Sequence, residues 1–296
     1  MGESEFEDFI GKNFFHVCTD GTSIDCMFWD DRDFVAGINR VGVCVYLTNV
    51  QLVSYVLMDN HVHFLLYGTM LQCKDFINRF KTLTGKYIAY RHGLRHYLNQ
   101  LKSCIILLSS KERIINTIAY IDRNPLVAGF KALPFEYQWG SARYYFRESV
   151  SGEKCRSLAE MSDRYCCRLL NTHVILPKTW QVDSTGMLDP LCFIDLDKGM
   201  RFIKSPTRYL YFISKKLEGE IDEQLMEGNM TFIMDKELKV IAKNIAFEMF
   251  GESKVIMLEL KDRMMIAKKL RCQYGSTPKQ ISRILKLNFE TIKKFI

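Results

Sequence analysis

Two histidines, His61 and His63, stand two residues apart in a stretch, residues 54–68, that is otherwise largely apolar. Side chains alternate between the two faces of a β-strand, so residues two apart project from the same face. Both imidazoles can then reach one metal ion, and two protein ligands leave coordination positions open, as a catalytic ion requires. The alternative is a pair of core histidines whose ring nitrogens are satisfied by hydrogen bonds.

Tyr120 and Asn124 are four residues apart on a segment with helical spacing, so they share one helix face. A tyrosine phenol, with an ordinary pKa of about 10, is protonated at neutral pH and needs help to act as a nucleophile. No general base for the phenol is identifiable. A metal ion beside a phosphodiester assists in a different way, by polarising a phosphoryl oxygen and stabilising charge in the transition state, and the Asn124 amide oxygen is suited to complete its shell. With a phosphate substrate, Mg²⁺ or Mn²⁺ is the expected ion. Each residue also has a purely structural explanation, as a core aromatic for Tyr120 and as a helix end before Pro125 for Asn124.

The elements that must position these residues follow a simple order in the first half of the chain. Strand-like runs alternate with stretches of helical spacing, and the pair Asp59-Asn60 suits a two-residue hairpin turn. The order strand, helix, strand, strand, helix, strand, helix is typical of the ferredoxin-like α+β fold, an antiparallel sheet with helices on one face. The predicted strands are residues 14–19, 52–58, 61–67 and 104–108, and the predicted helices begin at residue 30 or 31, at 71 and at 111, the last one ending at 123 before Asn124-Pro125.

Residues 55–66 (YVLMDNHVHFLL) resemble the His-hydrophobe-His motif of the REP-associated tyrosine transposases, and residues 120–129 (YIDRNPLVAG) resemble their tyrosine helix. Weaker similarities are Phe15-His16-Val17, residues 28–38 and the aromatic segment 137–141, so the resemblance covers about residues 13–146. It implies that residues 1–147 form a single-tyrosine HUH endonuclease domain. In such enzymes a tyrosine attacks a DNA phosphodiester, forms a 5′-phosphotyrosyl link and frees a 3′-OH that later attacks to rejoin strands.

Carried over residue by residue, the resemblance implies that Tyr120 is the nucleophile, that His61 and His63 hold a divalent metal, and that Asn124 is a third ligand. Asp122 stands where the family often has histidine, and no role is assigned to it. The implied partner is single-stranded DNA with a hairpin or palindromic repeat. The active protein is then either a monomer or a homodimer.

The rest of the chain has no counterpart in the family's core. Residues 148–194 are predicted to be a linker and irregular region, and residues 195–296 a helical DNA-binding region. Residues 254–296 contain eleven Lys and Arg but only three Asp and Glu, a net charge of +8, whereas the net charge of the whole chain is +7. Residues 279–285, a turn at 286–288 and residues 289–295 have a helix-turn-helix outline, which would turn Thr291, Lys293 and Lys294 toward DNA. The alternative is an ordinary helical hairpin.

Three cations in and just after the second predicted helix, Lys81, Lys86 and Arg91, are expected to line a path for single-stranded DNA. A solvated helix face is the alternative.

Composition indicates a folded chain without a membrane segment. The 296 residues are 48% hydrophobic, which excludes a chain that is disordered as a whole. No apolar run approaches the roughly 20 residues that cross a bilayer, and the start of the chain is acidic. A cytoplasmic protein, nucleoid-associated when bound to DNA, is therefore expected, and its ten cysteines are expected to be reduced thiols.

The sequence as a whole predicts a metal-dependent, transposase-like endonuclease and strand transferase that nicks and rejoins single-stranded DNA near hairpins, a reaction of DNA recombination and transposition. A replication-initiator or relaxase-type nickase would use the same chemistry. A domesticated or regulatory DNA-binding protein would keep the fold and the basic tail without strand transfer. A metal-dependent hydrolase of small molecules is disfavoured by the terminal concentration of positive charge.

Overall fold

A computed structural model describes residues 11–21, 23–130, 133–146, 155–214, 235–274, 276, 278–289 and 291–292. The strands are β1 (Asn13–Thr19), β2 (Gln51–Leu57), β3 (Val62–Gly68), β4 (Ser103–Leu107), β5 (Arg156–Ser157) and β6 (Gln181–Val182). The α-helices are α1 (Asp31–Thr48), α2 (Met70–His92), α3 (Lys111–Val127), α4 (Asp163–Leu169), α5 (Leu196–Ile203), α6 (Pro206–Ser214), α7 (Asp235–Phe250), α8 (Leu260–Tyr274) and α9 (Pro278–Leu285). Short 3₁₀ helices span Tyr97–Gln100, Pro134–Glu136, Ser141–Tyr144, Leu158–Glu160, Pro190–Cys192 and Val255–Met257.

Local sequence signals set the ends of the first helices. Asp30 caps α1 by accepting from the backbone N–H groups of the first turn, and the helix begins at Asp31, one of the two starts predicted. Thr69 and Gln72 form a reciprocal capping box at the start of α2, and Gly93 ends that helix with a φ of 73°. These caps fix the residues at which α1 begins and at which α2 begins and ends.

The four long strands form one antiparallel sheet in the order β2-β3-β1-β4. With α1 between β1 and β2, and α2 between β3 and β4, this is the ferredoxin-like α+β arrangement, so the expected fold class is confirmed. The register pairs Cys18 of β1 with His63 of β3 and with Cys104 of β4. Paired residues project from the same face, so these three side chains lie in one row across the sheet.

The two faces of the sheet belong to two hydrophobic cores. Val62, Phe64 and Leu66 of β3 point into a core shared with α1 and α2. Leu65 and its neighbours on the opposite face pack against α3, and α5 and α6 add to this second core. Because α3 crosses the second face, it brings its own side chains onto the residues of β1 and β3 that project there.

Helix α3 is longer than the sequence predicts. The prediction ends it at residue 123, because a proline disfavours helical geometry in the residue before it. The helix instead continues to Val127 with Pro125 inside, and the Ala128 N–H reaches the Asn124 carbonyl at 3.0 Å. Asn124 is therefore a helical residue one turn after Tyr120.

Residues 155–214 pack against the sheet, although the sequence predicts a linker up to residue 194. The Asp195 N–H donates to the Leu52 carbonyl at 2.7 Å, and Ile194 forms a parallel bridge with Leu52. Apolar side chains from this irregular stretch enter the core beneath α1: Leu158, Leu170, Leu176, Val182, Leu188 and Phe193. The packing of these residues is continuous with that of the sheet.

The C-terminal part is mostly helical, as expected, and has a core of its own. Helices α7, α8 and α9 bury apolar residues around Ile266, Leu270 and Ile281. After α9, Lys286 turns the chain with a φ of 51°, and Asn288 caps a further helical segment by accepting from the Thr291 N–H at 3.2 Å. A helix, a short turn and the start of a helix are thus present. Among the residues that the structure describes, no helix is both long and apolar enough to cross a membrane.

Candidate active site

The histidine pair lies where β3 begins, under helix α3. His63 is on the strand face that packs against α3, and His61 immediately precedes the strand. The His61 and His63 rings are 5.0 Å apart between centroids, at an interplanar angle of 87°. Both imidazoles therefore reach the space between the sheet and α3, as the spacing of two predicts.

Hydrogen bonds fix the proton of His61 on one ring nitrogen. The Asn60 side-chain N–H₂ donates to the Gly21 carbonyl at 2.8 Å, so its Oδ1 is left as the acceptor. His61 Nδ1 lies 2.7 Å from that oxygen and must be the donor. The lone pair of His61 is then on Nε2, which faces Asn124 Oδ1 at 3.0 Å.

This arrangement places two acceptors opposite each other. A lone-pair nitrogen and an amide oxygen are both ordinary metal ligands, and these two atoms are 3.0 Å apart. Burial lowers the pKa of the His61 imidazole, so the ring is neutral and able to bind a metal at pH 7. His61 Nε2 and Asn124 Oδ1 are thus placed to share a divalent ion that has open positions for substrate oxygens, and the His63 ring lies beside them, 5.0 Å from that of His61.

Tyr120 lies over the same residues. Its ring is 5.3 Å from that of His63 and 5.9 Å from that of His16, in both cases edge to face. The side chains of Tyr120 and Asn124 are 7% and 9% exposed, respectively. The structure therefore brings together all four residues that the sequence selects for chemistry, between β1, β3 and α3.

His16 is a member of the cluster that sequence reasoning did not select. Its Nε2 is 3.1 Å from His63 Nδ1, and both rings are buried. Burial lowers the pKa of His16 to about 4 and that of His63 well below its usual value, so both are neutral at pH 7. The usable signal was the alternation of β1, where Phe15 and Val17 are apolar and His16 projects from the other face, together with the adjacency of β1 and β3 in this fold.

Asp122 joins the tyrosine helix to later parts of the chain. Its carboxyl accepts from Tyr209 Oη of α6 at 2.5 Å and lies 3.4 Å from Ser54 Oγ and 3.5 Å from Ser141 Oγ. Burial raises the pKa of Asp122 to about 7 despite these hydrogen bonds. The group contacts neither the histidines nor Asn124 through these bonds, and it ties α3 to β2 and α6.

The residues predicted to contact DNA have different surroundings. Lys81 Nζ donates to the Leu101 carbonyl, and Arg91 forms ion pairs with Asp30 and Asp33. Of the three cations of α2 that the sequence assigns to DNA, Lys86 is the exposed one. Thr291 is half-buried in the last helical segment, and Lys293 and Lys294 lie outside the described residues.

Comparisons with known proteins give little. No protein-family model matches the sequence, and no curated protein does. Among solved structures, that of a REP-associated tyrosine transposase bound to a REP hairpin aligns over 45% of this chain and 78% of its own, with a TM-score of 0.33 and 10% identity. A likeness of that size is too weak to establish a common fold.

Proposed function

We propose that this protein is a metal-dependent, transposase-like nuclease that cuts and rejoins single-stranded DNA beside hairpins through Tyr120. The observation that carries the proposal is the convergence of Tyr120 with His61, His63 and Asn124 between the sheet and α3. A phenol beside a set of neutral nitrogen and amide oxygen ligands is suited to phosphoryl transfer. The two sequence motifs that resemble the REP-associated tyrosine transposases meet at this point.

In the proposed reaction Tyr120 is the nucleophile and a DNA phosphodiester is the substrate. Tyr120 Oη attacks the phosphorus of a phosphodiester, the bond from phosphorus to the 3′ oxygen breaks, and the DNA 5′ phosphate becomes linked to the tyrosine. Over the step the phenol loses one proton and the leaving 3′ oxygen gains one, so a free 3′-OH is released. A divalent ion, when bound, supplies charge neutralisation at the phosphoryl oxygens.

The protein side chains orient the reactants. His61 is held by Asn60 with its lone pair toward Asn124, and His63 is held by His16 through the ring nitrogen Nδ1. Because α3 carries both Tyr120 and Asn124, a shift of this helix moves the nucleophile and a ligand together. Rejoining is the reverse attack by a 3′-OH on the phosphotyrosyl bond, which conserves one phosphoester bond and so needs no nucleotide cofactor.

DNA binding is assigned in this proposal to the exposed cation Lys86 and to the basic C-terminal helices. The C-terminal excess of positive charge lies on a three-helix unit that ends in the outline of a helix-turn-helix. Such a unit can hold the duplex of a hairpin while the strand beside it reaches Tyr120. This division of labour accounts for two parts of the chain with separate cores.

The test uses Mn²⁺ and hairpin oligonucleotides with single-stranded flanks, whose sequences are taken from palindromic repeats found by sequencing the DNA that flanks the gene. We expect a protein–DNA adduct that survives denaturation. Tyr120→Phe should abolish it, and the double change His61→Ala with His63→Ala should remove its metal dependence and most of its yield. Tyr211→Phe, which alters an exposed tyrosine on α6, is the matched control and should leave adduct formation intact. Absence of adduct in the wild type with such repeats would refute the proposal.

A second candidate is a DNA-binding protein without strand transfer, and the low exposure of Tyr120 favours it, because a nucleophile must reach a phosphate. In that case the hairpin binds with the same affinity to the wild type and to the His61→Ala, His63→Ala variant. Neither protein then forms an adduct. A gel-shift titration beside the adduct assay separates the two functions.

A further inference from the structure

A second group of metal-ligating side chains lies beside the candidate active site. His16 and Cys18 are two apart on β1 and project from one face, and Cys18 pairs with His63 on β3. One ligand atom from each of His16, Cys18 and His63 lies within 4.8 Å of the other two, and all three residues are at most 3% exposed. Cys104 of β4 contacts Cys18 from the other side.

The donor set differs in kind from that of His61, His63 and Asn124. Two imidazole nitrogens and a thiolate are soft ligands that select zinc and its chemical relatives, whereas Mg²⁺ and Mn²⁺ prefer oxygen. Two nitrogens bound to one tetrahedral Zn²⁺ at about 2.0–2.1 Å lie about 3.3 Å apart. The 3.1 Å between His16 Nε2 and His63 Nδ1 is close to that separation, so only small side-chain movements would admit an ion.

We propose that His16, Cys18 and His63 form a binding site for a thiophilic divalent ion of the zinc class, and that an ion held there excludes the one held by His61, His63 and Asn124. The site itself is argued from the residues alone, and the exclusion rests on the proposed function.

The exclusion follows from the shared His63. A neutral imidazole has one lone pair, so a ring that binds an ion through one nitrogen carries a proton on the other. His63 Nδ1 faces His16, and binding through Nδ1 leaves Nε2 protonated and unable to serve the second set. Zinc at the soft site would therefore switch off metal binding at the candidate active site.

Binding at the soft site must also release a proton. The contact with Cys104 and burial raise the pKa of the Cys18 thiol, so the metal-free protein holds it protonated. An incoming ion takes the sulfur as thiolate, and the thiol proton passes to solvent. In the metal-free protein His16 and His63 are hydrogen-bonded to each other, and the ion takes the place of the proton between their two nitrogens.

The experiment titrates reduced, metal-free, full-length protein with Co²⁺ and records the absorption spectrum. We expect a thiolate-to-cobalt charge-transfer band that saturates at one equivalent and is bleached by Zn²⁺. Cys18→Ser should lose the band, while His61→Ala, and the double change of the adjacent Cys166 and Cys167 to serine, should retain it. No band, or a band unaffected by Cys18→Ser, would overturn the proposal.

A second variant guards against loss of folding. If the circular dichroism of Cys18→Ser departs from that of the wild type, His16→Gln keeps the thiol and removes one nitrogen ligand. Its affinity for Zn²⁺ should fall by more than about tenfold, the smallest loss typical even of outer-shell changes. Unchanged Zn²⁺ affinity in His16→Gln would refute the site independently of Cys18.

The exclusion is tested by Mn²⁺ binding and not by DNA cleavage. One equivalent of Zn²⁺ should release bound Mn²⁺ from the wild type, as read by the paramagnetic resonance of free Mn²⁺, and should release less from Cys18→Ser. Release that is equal in the two proteins would overturn the exclusion. If the wild type binds no Mn²⁺, the site of the proposed function has failed, whereas the cobalt band still decides the soft site.

Discussion

The hydrogen bond from His61 to Asn60 gives a sharp prediction about the candidate metal site. Asn60→Ala removes the oxygen that accepts the His61 Nδ1–H at 2.7 Å. The imidazole can then move its proton to Nε2 and donate to Asn124 Oδ1, which lies 3.0 Å away. That tautomer has no lone pair for a metal on the side where Asn124 lies.

The size of the effect can be worked from these contacts. Restoring the binding tautomer in the variant breaks one hydrogen bond, a net cost of about 1 to 1.5 kcal/mol, and leaves a half-buried N–H without its acceptor. Loss of an outer-shell partner typically weakens metal binding by about 10 to 100-fold, which corresponds to about 1.4 to 2.7 kcal/mol. We therefore expect Asn60→Ala to bind Mn²⁺ at least about tenfold more weakly than the wild type.

Asn60→Asp is the matched control. Its carboxylate still accepts from His61 Nδ1, whereas it loses the N–H₂ group that donates to the Gly21 carbonyl. Titration of metal-free protein with Mn²⁺, followed by paramagnetic resonance, should therefore show affinity near that of the wild type for Asn60→Asp and a clear loss for Asn60→Ala. Equal losses of Mn²⁺ affinity in the two variants would mean that the hydrogen bond to the Gly21 carbonyl, and not the His61 tautomer, determines metal binding. Unchanged Mn²⁺ affinity in Asn60→Ala would refute the reasoning outright.

Three further predictions concern single buried or exposed groups. The pKa of His16 in the folded protein is lowered to about 4, whereas in the unfolded chain it is near 6.5. Between these two values only the unfolded chain binds the proton, so the free energy of unfolding decreases as the pH falls. Urea unfolding should show about 2 kcal/mol lost between pH 7 and pH 5 in the wild type relative to His16→Gln, and identical losses would contradict this. The pKa of Asp122 is raised to about 7, so the folded state holds its proton more tightly and loses stability as pH rises. Relative to Asp122→Asn, the wild type should lose about 1 kcal/mol between pH 6 and pH 8, and parallel curves would show that the carboxyl does not ionise there. Lys86→Ala should lower the slope of log affinity for single-stranded DNA against log salt by about 1, whereas Arg79→Ala, on the same helix but paired with Asp75, should leave the slope unchanged.

The sheet and the histidine pair could be predicted because their signals are local. Alternation of apolar and polar residues gives the strands, and a turn at Asp59-Asn60 places His61 and His63 at the start of β3. The helical period predicts that Tyr120 and Asn124 lie on one face of the helix. The prediction holds at Asn124 because the helix continues through Pro125. Each of these inferences needs residues only a few positions apart.

The remaining parts of the site depend on residues far apart in the chain. His16 meets His63 only because β1 lies beside β3, a fact of topology, and Asp122 meets Tyr209 across 87 positions. Residues 155–194 bury leucines without any period, because irregular backbone presents its side chains at no fixed interval, and the sequence therefore predicts a linker there. Arg91 shows the same limit, since its ion pairs with Asp30 and Asp33 join two helices.

The central claim is that Tyr120 becomes covalently linked to DNA, and the peptide that carries it makes the claim directly measurable. Trypsin cleaves after Arg113 and Arg123 and releases residues 114–123, which contain one tyrosine. After reaction with the hairpin oligonucleotide and Mn²⁺, nuclease treatment and mass spectrometry of the digest should find a nucleotide remnant on this peptide, attached at Tyr120. A remnant on another tyrosine, or an unmodified 114–123 peptide in a denaturation-resistant adduct, would contradict the account.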